Sequence, residues 1–221
     1  MDWQSLNVSL QLAVWTTVIL FPVSVYLSRA LAWRQFAGKS VIEALVALPL
    51  VLPPTVLGFY LLIMLGGDSV VGQFYEQIIG QPLVFSFEGI LIASLIFNLP
   101  FAVQPLQRSF ESISGDLREA SWCSGLSAWQ TFWRIELPLA WPGALSSIVL
   151  TFAHTLGEFG VVLMVGGNIP GETKTLAINI YDRVQAFDDS TAATMSAFLL
   201  IFSFIAIVVV QGLGSRAGKW R

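Results

Sequence analysis

Charge is scarce in this chain of 221 residues. Only 11% of its residues are charged, whereas a typical soluble domain has about 25%, and 55% are hydrophobic. The net charge of −3 provides no basic surface for a phosphate backbone, so we expect no nucleic acid partner. The single cysteine, Cys123, excludes an internal disulfide and a cysteine-rich metal site.

A complete nucleotide-binding loop is also missing. The tripeptide Gly38-Lys39-Ser40 resembles the end of a P-loop, but that motif requires a glycine five positions earlier, where Trp33 stands. No predicted strand precedes it. We therefore expect no catalytic, cofactor or metal site in this chain, and any ATP must be bound by another chain.

Long apolar runs are what the sequence has in abundance. A membrane helix needs about 20 mostly apolar residues, and five stretches qualify. The fourth alone contains His, Asp, Glu, Lys or Arg, namely His154 and Glu158. The sequence therefore predicts an all-α integral membrane protein with a single domain over residues 1–221. The five predicted transmembrane helices cover approximately residues 8–28, 44–65, 89–107, 139–165 and 190–215.

The distribution of Lys and Arg predicts the orientation, because cytoplasmic loops retain these residues. Nine of the eleven fall in alternate segments between the predicted spans. This pattern places the N-terminus outside, the C-terminus inside and the loop of residues 108–138 in the cytoplasm. The nine residues are Arg29, Arg34, Lys39, Arg108, Arg118, Arg134, Arg216, Lys219 and Arg221.

One outer segment has helical order of its own. In residues 175–187, apolar side chains recur at helical spacing, which predicts a short amphipathic helix on the outer face. These side chains are Leu176, Ile180, Val184 and Phe187. Whether this helix contacts substrate or is only a packed surface helix stays open.

Prolines and glycines interrupt three of the predicted spans. A proline deletes a backbone donor and clashes with the preceding turn, so the second and third spans should kink or break. Such defects suit a transport pathway or a moving element, although static kinks that improve packing are the alternative. The residues concerned are Pro49, Pro53 and Pro54, Pro100 and Pro105, and Gly157 and Gly160 on either side of Glu158.

His154 and Glu158 are four residues apart, so we expect them to share one helix face. An ionisable residue inside the membrane is a functional hypothesis by default. The pair could relay protons in a secondary transporter, or it could be structural, with Glu158 either bonded to exposed backbone near the glycines or neutral. Two ligands are too few for a metal site. If the substrate is an anion, an ionised Glu158 on its path would repel it.

The predicted cytoplasmic loop contains a polar stretch, residues 119–138. Asp116 is expected to open a short helix with Glu119 three residues later, as in a capping pattern. The small residues Ala120, Ser121 and Gly125 would let another surface approach closely. Aromatic residues suited to interface anchors follow the same stretch, and they are Trp122, Trp129, Phe132 and Trp133.

This stretch resembles the EAA motif of ABC importer permeases, EAA-x3-G-x9-I-x-LP. Six of the seven positions agree without a gap, and Ser121 replaces the second alanine. The matching residues are Glu119, Ala120, Gly125, Ile135, Leu137 and Pro138.

Four further segments are similar to the permease subunits of molybdate ABC transporters. They are residues 48–58, 98–107, 156–160 and 167–171. Sulfate permeases are similar over residues 156–160, whereas residues 168–173, Asn-Ile-Pro-Gly-Glu-Thr, favour molybdate. The resemblance covers nearly the whole chain.

The resemblance implies a type I importer in the cytoplasmic (inner) membrane, in contact with membrane lipids. Two permease copies would form the pore, and two ATPase subunits would each grip one EAA loop through Glu119, Ala120, Ser121, Gly125, Ile135, Leu137 and Pro138. A periplasmic or lipid-anchored binding protein would deliver molybdate. Candidate gate or pathway residues are Pro53, Pro54, Thr55, Gly58, Gly157, Glu158 and Gly160.

Two alternatives to molybdate import stay open. The same machine could carry sulfate, thiosulfate or tungstate, which the residues alone do not distinguish. A protein of another class, a proton-coupled carrier, would use His154 and Glu158 and would need no ATPase.

Overall fold

The structure is a computed structural model that describes residues 2–217. Within these residues the chain is helical, with no strand. Twelve α-helices and one π-helical turn follow one another along the described chain. They are α1 (Trp3–Trp33), α2 (Lys39–Val51), α3 (Pro54–Leu65), α4 (Val70–Ile79), α5 (Phe87–Glu111), α6 (Gly115–Cys123), α7 (Ala128–Thr131), the π turn (Phe132–Glu136), α8 (Leu137–Leu139), α9 (Trp141–Leu156), α10 (Gly160–Gly166), α11 (Leu176–Gln185) and α12 (Asp189–Ala217).

The first helix is longer than the predicted span of residues 8–28. Asp2 caps it, because its carboxylate accepts a hydrogen bond from the backbone N–H of Gln4 at 3.0 Å. The helix continues through Pro22 and ends at Trp33. Its polar ends are helical because they pack on neighbours, and Ser5, for example, is buried.

The central element is α5, which packs against α1, α2, α9 and α10. Its face toward these helices is built from small and branched apolar side chains that are fully buried, such as Ala93 and Val103. The prolines do not break this predicted span, since α5 runs continuously through Pro100 and Pro105.

Hydroxyl donors surround the turn before Pro105. Ser28 of α1 donates to the carbonyl of Val103 at 2.8 Å, and Ser147 of α9 donates to the carbonyl of Ala102 at 2.6 Å. The carbonyl that loses its intrahelical donor at Pro105 is that of Phe101, so these two bonds do not replace the lost one. They tie α5 to α1 and α9.

The predicted break in the second apolar stretch is confirmed. Residues 44–65 are divided between α2 and α3, which are bent by 114°. The break lies at Leu52 and Pro53, both in extended backbone, and Pro54 starts the next helix, where its missing N–H costs nothing.

The fourth apolar stretch, residues 139–165, is also divided. α9 ends at Leu156, residues 157–159 are not helical, and α10 follows. At the other end, the segment Ala128–Leu139 and α9 are bent by 69°. Each piece is shorter than the roughly 20 residues needed to cross a membrane alone.

By length and composition, three of the described helices could cross a membrane: α1, α5 and the Asp189–Val209 part of α12. The number rises to five if each bent pair is one span. Of the basic residues predicted to follow the last span, Lys219 and Arg221 lie outside the described residues, as does the side chain of Arg216.

The amphipathic helix predicted for residues 175–187 is present as α11, but its apolar stripe is only partly buried. Leu176 is buried, whereas Val184 is half exposed and Phe187 lies beyond the helix with 91% exposure. The reason is that Ile178 and Asn179, rather than Val184, lie on the buried face of the helix that packs toward α1. Asn179 donates hydrogen bonds there to Asp2 and Ser5.

Candidate functional site

The polar stretch singled out in the sequence forms α6, a helix of nine residues. Its N-cap is Ser114, and Asp116 lies inside the first turn. The prediction that Asp116 opens the helix is therefore wrong by two residues. No side-chain capping bond is made at this end, because the capping pair expected from residues 116 and 119 is out of register with the true N-cap.

Two of the three EAA-type residues face outward. Glu119 and Ala120 are exposed, but Ser121 is buried. The Ser121 hydroxyl lies 3.0 Å from the hydroxyl of Thr131 and donates to the carbonyl of Arg118 at 2.6 Å. Ser121 therefore holds α6 against α7, and the surface open to another protein is smaller than the sequence suggested.

Gly125 ends the short helix in a left-handed conformation, with φ of +80°. No other atom lies within 4 Å of the place where a Cβ would stand. The need for glycine inside this chain is therefore conformational. The open space around Gly125 also leaves room for another protein's surface.

The residue that sequence reasoning missed is Glu136, whose side chain is fully buried at the end of the π turn. Its carboxylate accepts from Arg29 Nε of α1 at 2.6 Å and from Arg118 Nε of α6 at 3.1 Å. We call Glu136, Arg29 and Arg118 the charge cluster. It joins α6 to α1 and to the segment that leads into α9.

Aromatic rings surround the charge cluster. The guanidinium of Arg118 lies 3.8 Å from the ring centroid of Trp33 and 5.1 Å from that of Trp122. The guanidinium of Arg29 lies 5.5 Å from the ring of Phe132. These cation–π contacts add to the ion pairs in a partly desolvated place. One sequence signal could have found the cluster: a lone Glu between Ile135 and Leu137, next to an apolar run.

The last three residues of the EAA-type motif form the connection to α9. Ile135 and Leu137 are half-buried and Pro138 is exposed. Pro138 lies in α8, directly before the 69° bend. Movement of α6 would therefore reach α9 through this connection and α1 through the charge cluster.

Several predicted gate residues come together where α3 packs on α10. A Cβ on Gly58 would lie 2.7 Å from Met164 Cβ, and a Cβ on Gly160 would lie 2.8 Å from Pro54 Cβ. Both glycines are therefore required for the close approach of these helices. By contrast, Gly157 is exposed, and the nearest atom to its Cβ position is 3.8 Å away.

Pro53 is the N-cap residue of α3 and Thr55 lies in its first turn, and both are exposed. The structure therefore brings only part of the predicted gate set together.

Glu158 lies in the non-helical segment after α9, so it does not share a helix face with His154 as predicted. Asn98 of α5 connects the two: its amide donates to Glu158 Oε2 at 3.1 Å, and its carbonyl oxygen lies 2.9 Å from His154 Nδ1. Ser94 also donates to Glu158 Oε2, at 2.9 Å. Glu158 Oε1 is buried with no hydrogen-bond partner among the described residues.

His154 is packed against aromatic rings, with its centroid 3.9 Å from that of Phe101 and 5.2 Å from that of Phe97. In the described part of the chain no three His, Cys, Asp or Glu side chains are grouped so as to hold a metal ion. The hydrogen bonds of Ser94 and Asn98 to Glu158, and of Asn98 to His154, tie α5 to the end of α9 and to the break after it.

The loop before α11 is held by Asp182. Partial burial raises the pKa of this carboxyl, but hydrogen bonds from Lys174 and Asn168 outweigh that effect and leave the pKa below its usual range. Thr173 secures the same loop by donating to the carbonyl of Gly166 at 2.7 Å. The stretch of residues 168–173 is thus a fixed structure.

Residues 17–219 match the protein family described as "Binding-protein-dependent transport system inner membrane component". The chain is 43% identical over 206 residues to the molybdenum transport system permease protein ModB of Azotobacter vinelandii, covering 93% of this chain and 91% of that protein. It is 30% identical over 223 residues to ModB of Escherichia coli K12, covering 99% and 97%.

A probable sulfate transport system permease protein, cysT of Marchantia polymorpha, is also 30% identical, over 199 residues. That match covers 90% of this chain and 69% of that protein. Sequence identity to the sulfate and molybdenum permeases therefore overlaps.

Two solved structures share the fold. A bacterial alginate ABC transporter, in complex with an alginate pentasaccharide-bound periplasmic protein, gives a TM-score of 0.74 at 16% identity, covering 96% of this chain and 78% of that chain. The inward-facing methionine ABC transporter MetNI gives 0.68 at 19% identity, covering 97% and 93%. At these identities the likeness shows the fold alone.

Proposed function

Because the chain belongs to the family of inner membrane components of binding-protein-dependent transport systems, we propose that it is the permease subunit of an ATP-driven molybdate importer. It is a multi-pass protein of the inner membrane. The observation that carries the proposal is the similarity to two molybdenum transport permeases, which extends over at least 91% of either chain. The assignment to a transport permease also rests on the family match, whereas the choice of molybdate rests on those relatives alone.

The proposed membrane arrangement has five crossings, with the N-terminus outside and the C-terminus in the cytoplasm. In this arrangement α2–α3 forms the second crossing, and α9 with α10 forms the fourth. The asymmetry of Lys and Arg supports it, and the bends of 114° and 69° are compatible with broken spans. α6 then faces the cytoplasm.

We propose that α6 is the coupling helix. Its exposed residues Glu119 and Ala120 and the open space at Gly125 fit a groove on an ATPase subunit. Ile135, Leu137 and Pro138 connect the helix to α9. ATP binding and hydrolysis take place on the partner, since this chain has no P-loop, and no cofactor is bound here.

The charge cluster would couple α6 to two elements, α1 and the segment that leads into α9. Glu136 holds Arg118, the residue next to Glu119, and also Arg29 at the inner end of α1. A displacement of α6 would therefore move α1 and the start of α9 together. Rigid packed elements with two arrangements are how such displacements are transmitted.

The gate would lie where α3 meets α10, with Pro53, Pro54 and Thr55 at the break and Gly58 and Gly160 in the contact. Two permease copies form the pore in this proposal, so α3 and α10 of each copy would line it. Gly157 and Glu158 would provide the second break. The sequence has no arginine in residues 44–65 or 139–165, which fits weak contact with an anion that must be released.

Reconstitution tests the proposal. The permease, its ATPase and a periplasmic or lipid-anchored binding protein from the same organism would be placed in liposomes, and uptake of molybdate, tungstate and sulfate would be measured with and without ATP. We expect ATP-dependent molybdate uptake. Uptake of sulfate but not molybdate would assign the chain to the sulfate permeases, which the identity to cysT allows.

A proton-coupled carrier is distinguished by one substitution. Glu158→Gln keeps an oxygen that can accept from Ser94 and Asn98 but removes the ionisable proton. The ATP-driven importer predicts that uptake persists in this variant. A carrier would lose uptake and would need no ATPase.

A further inference from the structure

A groove of about 310 Å³ opens between the inner half of α1 and the α7–π turn segment. Except for Arg29 its lining is apolar or aromatic, and it comprises Pro22, Val25, Tyr26, Arg29, Ala128, Trp129 and Phe132. Tyr26 is 70% exposed and Trp129 is 68% exposed. Two large aromatic side chains are thus left open along one apolar groove.

A smaller pocket adjoins the groove and shares Tyr26 and Arg29 with it. Its lining adds two further arginines, Arg34 and Arg118, and no carboxylate. Among the described residues, the acidic side chain that pairs with these arginines is Glu136, which is fully buried and binds Arg29 and Arg118. Three guanidinium groups therefore stand against one carboxylate.

Arg34 makes no ion pair with any residue that the structure describes, and it is exposed. It follows α1 directly as the C-cap residue. The positive charge that Glu136 does not neutralise therefore lies at the end of α1, beside the apolar groove.

We propose that the groove and the adjoining pocket form a binding site for an anionic phospholipid. An acyl chain would lie in the groove against Val25 and Phe132, and the phosphate would sit at Arg34 and the free edge of Arg29. Apolar walls and surplus positive charge match the two parts of such a lipid, and basic pockets between membrane helices bind anionic head groups. Tyr26 and Trp129, which line the same groove, are residue types enriched at the membrane–water interface.

The site lies against the charge cluster, so a bound lipid would contact both α1 and the segment that supports α6. The inference needs the membrane location of the chain, and it does not depend on which anion is transported. Failure of molybdate uptake would therefore leave it untouched.

Native mass spectrometry tests the site on the full-length permease bound to its ATPase. The complex would be titrated with phosphatidylglycerol and with phosphatidylcholine of the same chains, and separately with glycerol 1-phosphate and inorganic phosphate. We expect phosphatidylglycerol to bind in preference to phosphatidylcholine. Loss of one arginine near the lipid phosphate should weaken binding about fivefold, so Arg34→Gln tests the head-group contact.

Val25→Phe tests the acyl-chain contact, because a larger ring at this half-buried position would reduce the volume of the groove that Val25 lines. The matched control is Arg134→Gln, which removes an exposed arginine that lines neither pocket. We expect weaker phosphatidylglycerol binding in Arg34→Gln and Val25→Phe, and binding equal to the wild type in Arg134→Gln.

The proposal is overturned by several results. Equal binding of the two lipids, or unchanged phosphatidylglycerol binding in Arg34→Gln, would show that the site does not recognise an anionic head group. Competition by glycerol 1-phosphate at the affinity of the lipid would identify a site for soluble phosphates instead. Displacement of the lipid when the ATPase is added to the free permease would assign the groove to the ATPase interface.

Discussion

The carboxylate of Glu136 is fully buried, and it forms ion pairs with two arginines from different helices. The attraction within a buried ion pair has to offset the cost of removing both charges from water. Here the arginines remain partly exposed, with side-chain exposures of 28% and 19%, and they also contact aromatic rings. Removing the carboxylate would leave two adjacent cations uncompensated.

We predict that Glu136→Gln lowers the free energy of unfolding by on the order of 3 kcal/mol, because it breaks a buried pair from one side. In the assembled transporter, ATP hydrolysis should persist while uptake per ATP falls. Thermal melting and simultaneous uptake and hydrolysis measurements would check both statements.

Glu43→Gln serves as the control, since the Glu43–Lys39 pair is partly exposed and its atoms are 3.8 Å apart. It should change stability by less than about 1 kcal/mol. Equal losses in the two variants would show that the burial of Glu136 has no special role.

Gly125 supports a second prediction at this scale. Asn and Asp both tolerate a left-handed backbone better than other residues, and they differ here in charge. We predict that Gly125→Asn keeps much of the uptake, whereas Gly125→Asp abolishes uptake without preventing membrane insertion, because it adds a charge at the ATPase contact. Uptake assays and quantification of the inserted protein would decide.

Equal uptake by the two Gly125 variants would contradict the assignment of this position to the contact. At the residue scale, the exposed positions of α6 could be predicted from motif spacing. The inward side of Ser121 and the partners of Glu136 could not, because their contacts lie 10 to 107 positions away in sequence.

Among the elements, α3 and α10 are joined by two glycine contacts that leave no room for a methyl group. We predict that Gly58→Ala and Gly160→Ala each lower stability by about 1–3 kcal/mol, because overpacking shifts the backbone. Melting temperatures of the purified variants would show the loss. Gly157→Ala is the control, since its Cβ position has 3.8 Å of clearance.

An equal loss in Gly157→Ala would contradict a packing cause. It would instead indicate that the backbone at the second break cannot accept any side chain.

The loop before α11 gives a prediction on pH. The pKa of Asp182 is lower in the folded protein than in the unfolded chain, so its stabilising contribution is complete above the unfolded pKa. That contribution is lost as pH falls through the folded pKa. We predict that Asp182→Asn is less stable than the wild type at pH 7 and that the difference disappears in acid below the folded pKa.

Melting curves at several pH values would measure this difference. Glu172→Gln, an exposed position in the same loop, should follow the wild type at every pH. A difference between Asp182→Asn and wild type that stayed constant into strong acid would contradict the linkage.

Sequence patterns located most of the long elements, since runs of about 20 apolar residues indicate helices regardless of their partners. Proline spacing also predicted the break between α2 and α3. It did not predict the continuity of α5, because that depends on packing against α1, α2, α9 and α10. Nor did it predict α4, because the apolar residues of this helix, such as the exposed Phe74 and Ile78, do not form a long apolar run.

For the whole molecule, composition and the EAA-type spacing were enough to predict the class of protein, and the family match confirms it. The support of α6 could not be predicted at the same level. It depends on α1, α6 and the π turn meeting in space, and a single sequence without its fold does not show which charges meet.

The exposed thiol at the end of α6 has a practical consequence. Cys123 is the sole cysteine of the sequence, and it is free and accessible. Maleimide dyes or nitroxide spin labels would therefore attach to the natural chain at one known position, with no background to remove by mutagenesis. A reagent that cannot cross lipid would report from which side of the bilayer α6 is reached, and a nitroxide would follow its displacement through the ATP cycle.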